Sequence, residues 1–374
     1  MNRVFWLANP YSPHVRHWYE IYNELDGNNK LTVFHINHHK AVLDSYFSKD
    51  VHIISPFSWM NSLPSFLQYL LLGIWLRFKL DDNDILHAHN TSGYGLAAFL
   101  SGKPYIITTY GSEIYSVDNK PKLYCYMIKK IINKASLITS ASSAMTNKLN
   151  EISTEVSNKI FQFSLGISNS FSYSKESAKC IRDKLLIPNT AKVFISNRRM
   201  TPLYRIKDIV DAFEKLQKTS LIEELDLHLV LLVGDSDIEY KNTLLSSIVN
   251  EKIHVIDEFL SQKELTKYLS AADYIISIPK SDQLSSSILE GVACGCIPIL
   301  SKLEAYSELD GCVFYVSDSN FNENLVKQMK ECVMMDEISL NVLINKGKNL
   351  IFNYSMKKVS MDYNKIILYI KSEL

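Results

Sequence analysis

The sequence has no excess of charge of either sign. Its 374 residues include 40 Lys and Arg against 40 Asp and Glu, so the formal net charge is zero. Without a large basic field, general nucleic-acid binding is disfavoured, and we expect no nucleic-acid partner. Glycine and proline number only 12 and 10, which excludes collagenous and low-complexity chains. The hydrophobic fraction of 47% is typical of a packed globular protein, and the length indicates two domains or three.

Several common motifs are also missing. The six cysteines include no Cys-x-x-Cys pair, so neither a disulfide scaffold nor a structural zinc site is expected. No basic segment followed by a long apolar run opens the sequence, and we therefore expect a cytoplasmic protein. No Gly-x-Gly-x-x-Gly follows the first predicted strand, and there is no Gly-Lys-Ser/Thr phosphate loop. These two absences argue against a nicotinamide dehydrogenase and a P-loop nucleotidase.

One apolar segment, Leu63–Leu76, is followed directly by Arg77 and Lys79. It is shorter than the ~20 residues that a spanning helix needs. Two interpretations remain: a helix buried in the protein core, or an interfacial helix that places the protein on a membrane. We expect a helix of the first domain, close to the side on which that domain binds its ligand, that makes a peripheral contact with the inner face of the cytoplasmic membrane.

Short apolar runs alternate with helix-length segments along the whole chain. Runs that are apolar on both faces are typical of parallel strands covered by helices. The same pattern restarts after about residue 190, so the sequence predicts an α/β fold with two Rossmann-like doubly wound parallel-sheet domains facing across a cleft. We place the first domain at 1–168, with a C-terminal helix, 355–374, packing back on it, and the second domain at 169–354.

The predicted strands are Val4–Leu7, Leu31–Ile36, Val51–Ile54, Ile85–Ala88, Tyr105–Thr108, Leu137–Ser140, Val193–Ser196, Leu227–Val233, Ile253–Ile256, Tyr274–Ile278, Ile297–Leu300 and Val313–Val316. The predicted helices between them are His17–Leu25, Gly95–Leu100, Lys122–Asn133, Ile206–Gln217, Tyr240–Val249, Gln262–Ala271, Ser286–Ala293 and Asn322–Val333.

Polar residues follow the predicted strands of the first domain, where ligands bind in open parallel sheets. His14 comes after the first strand, and Tyr110 and Glu113 come after the fifth. His87 and His89 lie at the end of the fourth strand. We expect these two histidines to face opposite sides of the strand, one packing in the core and the other reaching the ligand.

The second domain offers groups suited to a nucleoside diphosphate. Arg198 leaves its first strand, and a guanidinium group pairs with phosphate oxygens in bidentate fashion. A predicted helix begins with Ser285, Ser286 and Ser287, whose hydroxyl and N–H groups could bind the diphosphate. Glu290 follows one turn later, where its carboxylate could accept hydrogen bonds from the ribose. Asp282 precedes the same helix.

In this order, the residues resemble the GT-B fold glycosyltransferases of the retaining family 4 type (glycosyl transferases group 1). The similar motifs are Ser12-Pro13-His14 with Trp18, Asp84-x-x-His87-x-His89, Thr109-Tyr110-Gly111-Ser112-Glu113, Leu165-Gly166-Ile167, Arg198 with Pro202 and Arg205, and Asp282-x7-Glu290 followed by Ala293-Cys294-Gly295.

The resemblance implies sugar transfer, with retention, from a nucleotide-diphosphate sugar to a glycan or a lipid-linked glycan in bacterial surface polysaccharide assembly. No cofactor and no metal are expected. The implied catalytic residues are Asp282, Tyr110 and His89, and the donor diphosphate would lie on Arg198, Arg205, Ser285, Ser286 and Ser287. Glu290 would hold the ribose, and His14 and Glu113 would line the acceptor side.

Three positions depart from the family pattern. Tyr110 stands where the family has a histidine, and Asp282 is one methylene shorter than the usual glutamate. The lysine of the phosphate clamp has no counterpart, so we assign Arg205, with Lys207 as the alternative. Other functions stay open: a GT-B fold epimerase, a phosphorylase (although we identify no lysine for pyridoxal phosphate), or a non-catalytic nucleotide-sugar-binding protein.

Overall fold

The computed structural model describes residues 3–25, 31–36, 51–56, 62–220, 222–234 and 236–372. The chain divides into two compact units. The first comprises Met1–Gly166 together with Met356–Leu374, and the second comprises Ile167–Ser355. Each unit contains one parallel sheet covered by helices, so the predicted α/β class is confirmed.

The sheet of the first unit has seven strands within the described residues, all parallel, in the order β3-β2-β1-β4-β5-β6-β7. Its central strands are buried on both faces, as expected for parallel strands of largely apolar sequence, although β4 includes two histidines. The strands are β1 (Val4–Leu7), β2 (Thr32–Phe34), β3 (His52–Ile54), β4 (Ile85–His89), β5 (Tyr105–Thr108), β6 (Leu137–Ser140) and β7 (Ile160–Gln162).

The helices of the first unit include one from the far end of the chain. The C-terminal helix, Met356–Ser372, packs its apolar face on Trp6 and Trp18 of this unit, which confirms the predicted return of the chain. The other helices are α1 (Pro13–Asn23), α2 (Ser65–Lys79), α3 (Gly93–Ser101), α4 (Ser112–Tyr115), α5 (Lys122–Lys134) and α6 (Ser143–Ile152).

Helix α2 contains most of the apolar segment found in the sequence. Gln68, Leu72, Gly73 and Leu76 are buried, and Gly73 allows a close approach to α3, because a Cβ there would lie 2.7 Å from the Ala97 carbonyl oxygen. The outward face is apolar as well: Phe66 is 51% exposed, Ile74 51% and Phe78 83%. The buried-core interpretation therefore describes only one face of this helix.

The second unit repeats the architecture with six described strands, all parallel, in the order β10-β9-β8-β11-β12-β13. They are β8 (Lys192–Ser196), β9 (Leu227–Leu232), β10 (Ile253–Ile256), β11 (Tyr274–Ser277), β12 (Ile297–Ser301) and β13 (Phe314–Val316). The helices are α7 (Lys175–Lys184), α8 (Ile206–Gln217), α9 (Ile238–Ser247), α10 (Gln262–Ala271), α11 (Ser286–Ala293), α12 (Phe321–Met334) and α13 (Glu337–Phe352).

The order of the strands reverses between β8 and β11 in the second unit and between β1 and β4 in the first. Loops that leave two such strands separate on opposite sides of the sheet, and the crevice between them is the usual ligand site of a doubly wound fold. His14 and His89 in the first unit, and Arg198 and Asp282 in the second, follow or end strands at these two places.

Candidate active site

In the second unit, the site is built on the ends of β8 and β11. Arg198 follows β8 by two residues, and Asp282 lies in the loop between β11 and α11. The absence of a side chain at Gly291 lets α11 lie close to the sheet, because a Cβ at this position would lie 2.6 Å from Cδ1 of Ile275 on β11. The start of α11 is thereby fixed beside the loop that contains Arg198.

Arg198 is the centre of this cluster and is only 8% exposed. Its Nη1 donates to the hydroxyls of Ser285 and Ser287, the latter at 2.6 Å, and its Nη2 donates to Oδ2 of Asp282 at 2.6 Å. Its guanidinium group also lies 4.2 Å from the centre of the Tyr204 ring, a cation–π contact. Ser285 is the N-cap residue of α11, yet its hydroxyl contacts Arg198 and does not cap its own helix.

Asp282 is held through both carboxylate oxygens. Oδ2 accepts hydrogen bonds from Arg198 and, at 2.8 Å, from the hydroxyl of Tyr306, while Oδ1 accepts the backbone N–H of Gln283 at 2.9 Å. With 17% of its side chain exposed, Asp282 forms a largely buried ion pair with Arg198. The structure thus places Arg198 and Asp282 in one cluster, where they bind one another directly.

Arg205, the second predicted phosphate ligand, lies elsewhere in the unit. Its guanidinium group stacks on Phe321 at 4.1 Å and is 3.9 Å from Asp318. The backbone at Arg205 is left-handed, with φ 52°, and this turn directs its side chain toward the start of α12. Lys207, the alternative, is exposed and pairs with Asp211 at 2.6 Å. Neither of these contacts belongs to the Arg198 cluster.

Glu290 lies on the second turn of α11 and is 8% exposed. Burial, and then the negative charge of Glu290, raises the pKa of the neighbouring Cys294 thiol to about 12. Three buried polar atoms at the carboxyl edge of the sheet lack a hydrogen-bond partner within the described structure: Ser196 Oγ, Asn197 Oδ1 and Gln283 Nε2. Because orphaned buried polar atoms are costly, they are consistent with a polar ligand at this edge.

In the first unit, His14, His89 and Tyr110 form one cluster at the ends of β1, β4 and β5. The rings of His14 and Tyr110 stack with their centres 4.9 Å apart, and the Tyr110 hydroxyl lies 3.0 Å from Nδ1 of His89. Burial, and then the charge of Glu113, raises the pKa of Tyr110 well above its usual value, so its hydroxyl stays protonated. Tyr110 can therefore act as a neutral hydrogen-bond group only.

Glu113 fixes the turn that presents Tyr110. Its Oε1 accepts the backbone N–H groups of Thr91 at 3.0 Å and Tyr110 at 3.3 Å, together with the Thr91 hydroxyl at 3.2 Å. Burial raises the pKa of Glu113, and these hydrogen bonds oppose that shift. The observed contacts are those of a residue that supports β4 and β5, and the role of Glu113 toward an acceptor stays a prediction.

The expectation that His87 and His89 face opposite sides of β4 is wrong. Residues i and i+2 of a strand share one face, and the two imidazole rings stack with their centres 4.2 Å apart. Both histidines are buried against Trp18, and burial lowers the pKa of His87 to about 3. Burial, and then His87, also lowers the pKa of His89. Both imidazoles are therefore neutral at pH 7.

No group of three His, Cys, Asp or Glu suited to a metal ion occurs in the described part of the chain. The sequence does contain Asp-x-Asp at 82–84, but Asp82 pairs with Lys103 at 2.6 Å and Asp84 with Arg3 at 2.7 Å. At the second Asp-x-Asp, 235–237, Asp237 caps α9, and residue 235 lies outside the described residues.

Comparison with known proteins identifies the family. The family model of glycosyl transferase 4-like proteins matches residues 3–142, and the model of glycosyl transferases group 1 matches residues 178–349. Among solved structures, Anabaena Alr3699/HepE in complex with UDP superposes with a TM-score of 0.78 at 13% identity, covering 99% of this chain and 100% of that one. The chain belongs to the group 1 glycosyltransferases of the GT-B fold.

Two sequence relatives match this chain over part of their length. N-acetyl-alpha-D-glucosaminyl L-malate synthase of Bacillus anthracis is 22% identical over 294 residues, which are 76% of this chain and 74% of that protein. TuaC of Bacillus subtilis, named for teichuronic acid biosynthesis, is 23% identical over 232 residues, which are 61% of this chain and 55% of TuaC.

Proposed function

We propose that the protein transfers a sugar, with retention and without a metal ion, from a nucleotide-diphosphate sugar to an acceptor glycan or lipid-linked glycan. The observation that supports this most directly is the buried Arg198–Asp282 pair beside the serine-rich start of α11. The structural neighbour that binds UDP supports a nucleotide donor. The name of TuaC supports a role in surface polysaccharide assembly.

In this proposal, Arg198 stabilises the negative charge that develops on the leaving diphosphate. Its hydrogen bonds to Ser285, Ser287 and Asp282 use three of its five N–H groups, and the described residues provide no acceptor for the other two. These two groups can bind a diphosphate oxygen in a site that is already ordered. The Ser286 N–H and hydroxyl at the start of α11 would add donors, and Glu290 would accept from the ribose.

The donor half of the proposal is tested by calorimetry with UDP, GDP, UDP-glucose, UDP-N-acetylglucosamine and GDP-mannose. We expect one nucleotide class to bind, and Arg198→Ala to weaken it. Because EDTA treatment removes divalent metals, unchanged turnover in EDTA is the expected result for a metal-independent transferase. Failure of every nucleotide to bind the wild-type protein would contradict the proposal.

The acceptor half separates transfer from the alternative functions. An epimerase converts the nucleotide sugar when no acceptor is present, whereas a transferase releases nucleoside diphosphate in proportion to acceptor. The acceptor panel should include L-malate, because the Bacillus anthracis relative is named as an L-malate synthase. The anomeric configuration of the product, read by NMR, tests retention.

We also propose that α2 provides a peripheral membrane contact at the inner face of the cytoplasmic membrane. None of the helices in the described ranges is long and apolar enough to cross a bilayer. The exposed side chains of Phe66, Ile74 and Phe78 recur at helical spacing on one face, and Arg77 and Lys79 are exposed beside them. Each basic side chain adds about 1 kcal/mol of attraction to an anionic surface.

Sedimentation with anionic vesicles at low salt tests this contact. Phe78→Glu should reduce the bound fraction severalfold, because it places a negative charge on the apolar face. Ile238→Glu is a matched control, since Ile238 is 76% exposed on α9 of the second unit. Absence of vesicle binding by the wild-type protein, or equal losses in both variants, would contradict a contact through α2.

A further inference from the structure

Tyr306 is a buried tyrosine whose hydroxyl ends in the Arg198–Asp282 cluster. It lies in a short 3₁₀ turn, Glu304–Leu309, that follows β12, and it is 0% exposed. Its ring packs among Ile288 and Leu289 of α11, and its carbonyl accepts the Tyr315 hydroxyl at 2.7 Å. Both the ring and the backbone of Tyr306 are therefore fixed by the core of the second unit.

The Tyr306 hydroxyl completes the hydrogen bonding of one oxygen of Asp282. A carboxylate offers about four acceptor positions, two on each oxygen. Oδ2 accepts from Tyr306 at 2.8 Å and from Arg198 at 2.6 Å, and Oδ1 accepts from the N–H of Gln283 at 2.9 Å. Donors among the described residues occupy three of these positions and leave one on Oδ1.

The protonation state of Tyr306 suits this arrangement. Burial, and then the negative charge of Asp282, raises the pKa of its hydroxyl, so Tyr306 remains a hydrogen-bond donor at every physiological pH. The short side chain of Asp282 has little freedom once both of its oxygens are bound. The family 4 pattern that this sequence resembles has the longer glutamate at this position. Here the hydroxyl of the buried Tyr306 donates to the shorter carboxylate of Asp282.

We propose that Tyr306 is a positioning residue for sugar transfer: it holds Asp282 so that the remaining acceptor position on Oδ1 faces a hydroxyl of the donor sugar. This inference rests on the proposed function, because it assumes that Asp282 orients the sugar. It predicts that loss of the Tyr306 hydroxyl slows transfer of the donor sugar but leaves the affinity for the nucleotide nearly unchanged.

The test compares Tyr306→Phe with the wild-type protein, using UDP-glucose, UDP-N-acetylglucosamine and GDP-mannose as donors, the acceptor panel described above, and UDP and GDP as product probes. Loss of one hydrogen bond to a charged group should lower kcat for release of the nucleoside diphosphate by about ten- to a hundredfold. We expect KM for the donor to change less than about threefold, and the Kd of UDP or GDP to stay within about twofold.

Tyr354→Phe is a matched control. Its hydroxyl also donates to a carboxylate, Oε2 of Glu308 at 2.5 Å, and its ring belongs to the same buried cluster as Tyr306, but it does not contact Asp282. This variant should behave as the wild-type protein does. Similar losses in Tyr354→Phe and Tyr306→Phe would show that the effect is only structural, and would overturn the inference.

A double-mutant cycle with Asp282→Asn tests whether Tyr306 acts through Asp282. If it does, Tyr306→Phe should change kcat by less than about threefold in the Asp282→Asn background. Independent, additive losses would overturn the inference, as would a Tyr306→Phe enzyme with unchanged kcat. Failure of the wild-type protein to bind any of these nucleotides would instead overturn the proposed function.

Discussion

His87 should make the first unit sensitive to acid. Its ring is 0% exposed, with Nε2 2.8 Å from the Thr108 hydroxyl and Nδ1 3.1 Å from the hydroxyl of Tyr363 on the C-terminal helix. Burial lowers its pKa to about 3, whereas an unfolded histidine has a pKa of about 6.5. Below pH 6.5 the unfolded chain binds a proton that the folded chain excludes. The free energy of unfolding therefore decreases as the pH is lowered from about 6.5 to about 3.

The size of this effect follows from the two pKa values. Between pH 7 and pH 5, a histidine that titrates at about 6.5 when unfolded and not at all when folded removes about 2 kcal/mol from the free energy of unfolding. His87→Gln removes the titrating group. The variant should be less stable at pH 7, because it loses packing, but its deficit relative to the wild-type protein should shrink by about 2 kcal/mol at pH 5.

Tryptophan fluorescence during urea unfolding is the appropriate assay. All four tryptophans, at positions 6, 18, 59 and 75, lie in the part of the sequence that forms the first unit, so the signal reports that unit. His52→Gln is the matched control, since His52 is an exposed histidine on β3. If the free energies of unfolding of the wild-type protein and His87→Gln differ by the same amount at pH 7, 6 and 5, the reasoning is refuted.

Three further predictions concern the second unit. Glu290→Ala should weaken UDP or GDP binding by about ten- to a hundredfold in calorimetry through the loss of a charged hydrogen bond; unchanged affinity would remove Glu290 from the ribose. Arg198→Ala should abolish most turnover in a folded protein, and Arg198→Lys should restore only part of it, because an ammonium group cannot reproduce the fork that contacts two serines and Asp282; full activity in either variant would place the phosphate site elsewhere. Gly291→Ala should cost about 1–3 kcal/mol in urea unfolding followed by circular dichroism, because the new Cβ would meet Ile275 Cδ1 at 2.6 Å, and Ile275→Val should recover part of this loss.

The sheets were predictable because their strands are short, apolar and β-branched. Tyr105–Thr108 and Leu137–Ser140 have the predicted bounds, since a run that is apolar on both faces and too short for a helix favours a covered parallel strand. Strand β7 and helices α6, α7 and α13 were not predicted. In α7, the mean composition is polar, and its single apolar stripe is too narrow to stand out.

The candidate site was predictable only in part. Arg198 and Asp282 follow strands, and that position is visible in the sequence. The direction of the Arg205 side chain depends on a left-handed backbone conformation. The sequence does not predict it, because non-glycine residues rarely adopt that conformation. The role of Tyr306 depends on a contact with a residue 24 positions away, and it lies in an irregular turn where no periodic pattern exists.

The return of the C-terminal helix has a consequence for synthesis on the ribosome. The core around Trp6 and Trp18 needs residues that are translated 190 positions after Gly166, whereas Ile167–Ser355 is contiguous. The second unit can therefore fold while the first still lacks its last helix, and nascent first-unit chains keep an apolar surface available to chaperones. A circular permutant that begins at Met356 and connects Ser372 to Arg3 through a linker would reverse this order, because both units would then be contiguous.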